Sequence, residues 1–416
     1  SQLKTQKDKQ IKINFNFIFF FFLIFGYKIG VIDFSILISG SILLSLVIIK
    51  KVNLIRIPKI ISIFMAIFSL IIIVACVSFL INNGDFIPEF VLKPVRVIIL
   101  MFIIYFYIKI RKLSFINILK ILLFVILVHS IVIYLQYILY YLGIDKTFLY
   151  HPSLTWTSPF RKVGLTTGFP VAGLIVVFGS MLSLFLYYLS RNRIYIFIFF
   201  IMSLSIFITA RSAMFIYILL IPTYMFILSY SYRRYSLIVW YLLFILSSVL
   251  IVYFYLIETI PMMQGTIDKM FANIINYMET GSFHDYSTAH LVSSDHLYFP
   301  DTAKTFLIGN SLGKESGFQP SDIGYVRITM GIGVFGIILY LIAYLVMYSL
   351  SIKRANRLNY PTSKILLSLI YIAFFIMSLK SDYMFSRVIG DSITILSFAY
   401  LFSVEENNLL IKKEVV

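Results

Sequence analysis

Apolar segments recur along the whole chain, separated by short polar stretches, at 12–27, 30–49, 60–81, 95–110, 117–141, 170–189, 194–211, 212–228, 237–257, 324–350, 363–379 and 384–403. A bilayer core of about 30 Å takes roughly 17–25 helical residues to cross, and in lipid each backbone polar group must be satisfied within the helix. The pattern therefore predicts an all-α, polytopic membrane protein of about twelve transmembrane helices. The first segment follows a basic leader, Lys4 to Lys12, like that of a signal peptide, but no small-residue cleavage site comes after it. It is expected to form an uncleaved hairpin with the second. The run from Ile194 to Leu228 would reach roughly 52 Å as one helix, too long for a single crossing. Its one strongly polar point, Thr209-Ala210-Arg211-Ser212, predicts the break and puts Arg211 at a membrane face.

Composition agrees with this reading. Of 416 residues, 60% are hydrophobic and only 13% charged, with 41 Phe and 30 Tyr, and the mean hydropathy is +0.95. Soluble domains carry about 25% charged residues. The single cysteine, Cys76, lies inside an apolar run, so no disulfide framework exists.

Net charge is +17, from 35 Lys and Arg against 18 Asp and Glu. Alternating the segments from a cytoplasmic N-terminus places 22 of the 35 cations on one face, among them Lys50, Lys51, Arg111, Lys112, Arg191, Arg233, Lys353 and Lys413. Short cytoplasmic loops are rich in Lys and Arg, so both termini are predicted cytoplasmic, and the charge calls for no nucleic acid.

The opposite, outer face carries three longer segments, 82–94, 142–169 and 258–323. The last divides the single membrane domain, 1–416, between spans nine and ten. It holds eight of the 18 acids and three of the five histidines, His284, His290 and His296. Helix-like pieces at Gly265–Met278 and Ser287–Tyr298 predict an ordered extracytoplasmic cap.

Around this face stand cations that positive-inside statistics do not supply: Arg161, Lys162, Arg211, Arg327, Lys380 and Arg387. Snorkelling to lipid headgroups explains single cases. A cluster of guanidinium forks at membrane depth suits phosphate oxygens instead. No H-E-x-x-H, Asp-x-Asp or Walker A occurs, so metalloprotease, metal-chelated nucleotide-sugar and ATPase chemistry lack their residues, and neither metal nor cofactor is expected. One G-x-S-x-G, Gly309-Asn-Ser311-Leu-Gly313, reads as a Gly-rich turn, because a nucleophile elbow needs a strand before it and a helix after it. His129 and Gln136, seven apart on one helix face, read as an interhelical hydrogen-bonding pair. Asp33 and Asp391 fall near span ends and are expected to face solvent or a cap.

The stretch Arg161-Lys-Val-Gly164-Leu-Thr-Thr-Gly168-Phe-Pro170-Val-Ala-Gly173 resembles the Arg-x-x-Gly…Pro segment that opens a span in Wzy-type O-antigen and capsule repeat-unit polymerases. Thr209-Ala-Arg211-Ser-Ala is similar to their Ser-Arg turn. Asp322-Ile-Gly324-Tyr325-Val-Arg327, the Gly331-Ile-Gly333-Val-Phe-Gly336 helix and Lys380-Ser-Asp-Tyr383 through Arg387 also fit, so the likeness covers about the last 260 residues. The related ligases carry a His-Asn/Ser pair where this chain has Asp322, which favours polymerase over ligase.

The resemblance implies a GT-C-like, inverting, metal-independent glycosyltransferase of the bacterial inner membrane. It would act on undecaprenyl-diphosphate-linked oligosaccharide at the outer leaflet, with a flippase and a chain-length regulator as expected partners. Arg161, Arg211 and Arg327 would stabilise the diphosphate leaving group. Asp322 or His290 would take the hydroxyl proton, and Asp322 equally reads as a helix N-cap. Arg387, Lys380, Tyr325, Gly164 and Pro170 complete the expected substrate site. The rival functions are ligase and lipid-linked-oligosaccharide flippase or transporter.

Overall fold

The computed structural model describes residues 15–29, 32–51, 56–82, 89–144, 149–152, 154, 157–236, 238–239, 241–243, 261–281, 300, 302–310, 323–358, 360, 362–380, 383–384 and 386–404. The predicted span 237–257 lies mostly outside them, as do Ser287–Tyr298, His290 and Asp322.

The chain is an all-α bundle with one two-residue ladder. Helix α1 (Phe15–Phe25) leads through a hairpin of β1 (Lys28–Ile29) and β2 (Ile32–Asp33) to α2 (Phe34–Lys50). Then come α3 (Lys59–Asn82), α4 (Glu89–Arg111), α5 (Phe115–Tyr141), α6 (Phe169–Ser190), α7 (Arg193–Ile206) and α8 (Arg211–Tyr232). After these follow α9 (Pro261–Thr280), α10 (Ala303–Ile308), α11 (Gly324–Ala355), α12 (Ser363–Ser378) and α13 (Ile389–Phe402). Six of these, α3, α4, α5, α6, α8 and α11, are long and apolar enough to cross a membrane, and α1, α2, α7, α12 and α13 are shorter apolar helices. This is the architecture of a multi-pass membrane protein.

Helix α6 occupies the centre, with every residue from Ala172 to Leu186 buried. Small residues let its neighbours approach: a side chain at Gly173 would collide with Ala213 of α8 and Thr209 of the α7–α8 turn, and one at Gly179 with Ile126 of α5 and Met202 of α7. Packing of helices on every side explains why this stretch is apolar all round.

Four chain segments that follow α2, α4, α6 and α8 stop on a cation in the left-handed region: Lys51 (φ 46°), Lys112 (φ 48°), Arg191 (φ 59°) and Arg233 (φ 53°). Glycine is the usual residue at such a stop. A cation instead meets the negative end of the helix dipole. All four belong to the loops predicted cytoplasmic, so the charge bias and the helix endings agree.

At the other end the helices do not finish level. Helix α7 has 14 residues, roughly 21 Å, less than a bilayer core. His129 lies level with Ala172 near the start of α6, its Nε2 3.4 Å from the Ala172 carbonyl, while α5 runs on to Tyr141, about 18 Å farther. Helix α13 begins beside the middle of α11: the Tyr344 hydroxyl donates to the Met384 carbonyl, and Ser351 to that of Ser397 at 3.4 Å. The starts of α6, α8 and α13 are thus recessed.

Helix α11 is bent at Gly333, whose φ of 67° interrupts the helix. The backbone at Leu307–Gly309 docks there so closely that no Cβ fits on Gly309 or Gly333. The Asn310 N–H donates to the freed Met330 carbonyl (2.9 Å) and the Ser78 hydroxyl to that of Gly331 (3.2 Å), while Asn82 Nδ2 donates to the Gly309 carbonyl (2.7 Å). A kink in lipid is tolerated when neighbouring groups satisfy the backbone in this way. Gly309 is therefore a docking turn. The element before it is α10, a helix, so a strand-preceded nucleophile elbow does not form; Ser311 lies outside the described residues.

Candidate functional site

The segment 158–168 has no regular structure, and its place is set by individual bonds. Phe160 N–H donates to Ser158 Oγ (3.3 Å), and the Lys162 ammonium donates to the Ser158 carbonyl (2.7 Å) while lying 3.9 Å from the Tyr140 ring centre. Lys162 N–H donates to the Ile208 carbonyl at 2.7 Å, which staples the segment to the α7–α8 turn. Gly164 adopts φ +57°, and a side chain there would collide with His129. Its N–H donates to Gln136 Oε1 and its carbonyl accepts from Gln136 Nε2, each at 2.9 Å. Leu165 N–H donates to His129 Nδ1 at 3.0 Å, so the imidazole carries its proton on Nε2, toward the Ala172 carbonyl. His129 does make the expected bond between spans, from α5 to the Ala172 carbonyl of α6, but Gln136 and His129 Nδ1 hold the loop instead.

This wiring brings Arg161 and Arg211 into one electrostatic environment. Burial, and then the charge of Arg211, lower the Arg161 pKa from its ordinary value. The Arg161 guanidinium lies 4.9 Å from the Phe169 ring centre, and its Nε is buried with no hydrogen-bond partner, as is the Ser212 hydroxyl beside Arg211. Both flanking helices start without a side-chain cap: α6 after Gly168, with Pro170 in its first turn, and α8 after Ala210. Two guanidinium groups and two open helix N-termini make a locally positive site suited to an anion. Above it, Gly265 of α9 packs against Phe160 so tightly that a side chain there would strike the ring.

Lys162 departs from expectation. It was grouped with the outward-facing cations, yet it is 1% exposed and is consumed inside the loop. Arg327 and Tyr325 stand in the first turn of α11, where Arg327 N–H donates to the Ile323 carbonyl (3.1 Å). Lys380 is half-buried just beyond α12.

Arg387 belongs to a second group that sequence reasoning missed. Arg96 forms a two-pronged pair with Asp391, at 2.8 and 2.5 Å, and its Nε donates to Asp33 at 2.7 Å. Arg387 donates to the same Asp33, whose carboxylate also accepts from Ser35 N–H (3.0 Å) and Ser35 Oγ (2.5 Å). Asp391 is 1% exposed, contrary to the expectation that it faces solvent or a cap, while Asp33 does cap α2. Burial opposes ionisation of Asp33, but Arg96, Ser35 and Arg387 together hold its carboxyl below the usual range. Arg387 also lies near His151, whose pKa is lowered by burial and then by that charge. With its acceptors filled, Asp33 is a structural anion and a poor proton acceptor. The signal was available: Arg96 and Asp391 are opposite charges inside two predicted spans, and intramembrane charges seek partners.

Among the described residues no group of three or more His, Cys, Asp and Glu is arranged to hold a metal ion. No family model matches the chain, and no curated protein matches it.

Proposed function

We propose that this chain is a repeat-unit polymerase of the Wzy type, a GT-C-like glycosyltransferase of the bacterial inner membrane with both termini cytoplasmic. Its substrate is undecaprenyl-diphosphate-linked oligosaccharide at the outer leaflet. The observation that carries the reading is the Arg161–Arg211 pair, held beside two uncapped helix N-termini at the recessed end of the bundle.

In the reaction, a hydroxyl of one lipid-linked repeat attacks the anomeric carbon of the growing glycan from the side opposite the diphosphate. The new C–O bond forms as the bond to the diphosphate oxygen breaks, the configuration inverts, and the hydroxyl proton passes to Asp322 or His290. Negative charge grows on the leaving diphosphate. Guanidinium groups already fixed in place stabilise it without reorganising. Phe169 supports the Arg161 plane by a cation–π contact. Arg327 is assigned to the same leaving group and Tyr325 to the sugar-bearing side under the cap, with Lys380 and Arg387 as further substrate contacts. A flippase must pass its cargo across the bilayer, whereas this charge is concentrated at one end.

The test is reconstitution. The purified chain in nanodiscs, given lipid-linked repeat units, is expected to yield polymer and to release one undecaprenyl diphosphate per bond, with EDTA present, since no Asp-x-Asp occurs in the sequence. Absence of polymer would contradict the activity. Activity lost to EDTA and restored by Mg²⁺ would contradict metal independence and point to Asp285, Asp295 and Asp322 as oxygen ligands.

A further inference from the structure

We propose that Gln136, assisted by His129, is a positioning residue that sets Arg161 opposite Arg211 by holding the backbone of the turn between them and α6. The proposal rests on the reading of the arginine pair as an anion site, and its test separates the two. Both side chains lie on one face of α5 and are 1% and 0% exposed. Three of their four polar atoms go to loop backbone: Gln136 Nε2 to the carbonyls of Leu149 (2.7 Å) and Gly164 (2.9 Å), Gln136 Oε1 from Gly164 N–H (2.9 Å), and His129 Nδ1 from Leu165 N–H (3.0 Å), while His129 Nε2 faces the Ala172 carbonyl of α6 (3.4 Å).

A side chain that only glued helices together would find its partners on the neighbouring helix. Here the carboxamide takes both the N–H and the C=O of one residue, as a paired strand would, and supplies the ladder this segment otherwise lacks. Arg161 immediately precedes two anchors. The first is Lys162 N–H, fixed to the Ile208 carbonyl at 2.7 Å, in the turn that leads to Arg211. The second is Gly164, fixed to Gln136. The left-handed φ of Gly164, with the His129 ring filling the space of a Cβ, leaves the turn one way to sit. Freed from Gln136, the buried Gly164 N–H and C=O must find other partners, and the loop shifts to reach them.

The experiment reads geometry directly. Arg161→Cys and Arg211→Cys are combined in a Cys76→Ala chain, purified in detergent, and the rate of intramolecular cross-linking by a short bis-methanethiosulfonate is measured. Adding Gln136→Leu is expected to slow cross-linking about tenfold, the scale of losing more than one buried hydrogen bond. His129→Leu should slow it too. His129→Asn, whose Oδ1 can accept from Leu165 N–H where Nδ1 did, should keep most of the rate. If Gln136→Leu is not recovered folded, the two His129 variants carry the same comparison.

An unchanged rate in the Leu variants, even with a lowered unfolding temperature, overturns the proposal and leaves Gln136 a packing residue. In parallel, geranyl diphosphate binding is measured on the chain with both arginines intact, where Gln136→Leu should weaken it about tenfold. Cross-linking that slows in a protein whose parent binds no geranyl diphosphate upholds the clamp and overturns the anion reading instead.

Discussion

Replacing Arg161 or Arg211 by alanine is expected to slow polymerisation at least about 10²-fold, the cost of one lost donor to a charge that develops in the transition state. Removing Arg161 should leave the unfolding temperature of the ligand-free protein unchanged or slightly raised. Its guanidinium is a liability in the free state, where burial and then the Arg211 charge work against it. An ordinary structural arginine behaves oppositely, losing stability along with function. Lysine at either position should recover only part of the rate, because an ammonium lacks the planar fork that meets two phosphate oxygens. The check is the initial rate of lipid-linked repeat consumption at saturating substrate, set beside thermal unfolding in the same detergent. Alanine variants that fold normally and polymerise at the parent rate would end the leaving-group role.

Replacing Arg96 by alanine should have the larger effect on stability. It leaves Asp391 buried at 1% exposure without its two-pronged partner and takes one of two arginines from Asp33. Breaking a buried pair from one side costs about 3–5 kcal/mol, because the remaining charge stays desolvated. Removing both partners, Arg96→Met with Asp391→Leu, should recover most of that loss, since an apolar pair of similar volume leaves no stranded charge. Denaturant unfolding in mixed micelles reads both. If the single variant is as stable as the parent, the cluster does not hold the β1–β2 hairpin against α4 and α13.

Much of the membrane architecture could be read from apolar run length, because a bilayer imposes a length on every crossing. The break in the 194–228 run was expected at Thr209–Ser212, and α7 ends at Ile206 with α8 starting at Arg211. Features that depend on three dimensions were not legible. Apolar runs do not distinguish helix from extended chain, so α13 was expected from 384 but starts at Ile389. The left-handed break at Gly333 falls inside a continuously apolar stretch, and its cause, the docking of Leu307–Gly309, lies elsewhere in the chain.

The site divides the same way. Arg161 and Arg211 were marked by charge at span edges on a face where cations are not favoured. Lys162, next in sequence, carries the same mark and points inward, since a loop has no periodicity to assign its direction. Arg96 and Asp391 meet across 295 positions, beyond the reach of local pattern.

The central claim is that this chain joins repeats already delivered to the outer leaflet. The direct measurement is a gel of surface and lipid-linked glycan from cells lacking the gene and from the same cells complemented. Loss is predicted to leave single repeat units at the outer face, replaced by a ladder on complementation with the parent but not with the Arg161→Ala, Arg211→Ala chain. Lipid-linked units trapped on the cytoplasmic side would mark a flippase, long carrier-bound chains would mark a ligase, and an undiminished ladder in the deletion strain would contradict the account outright.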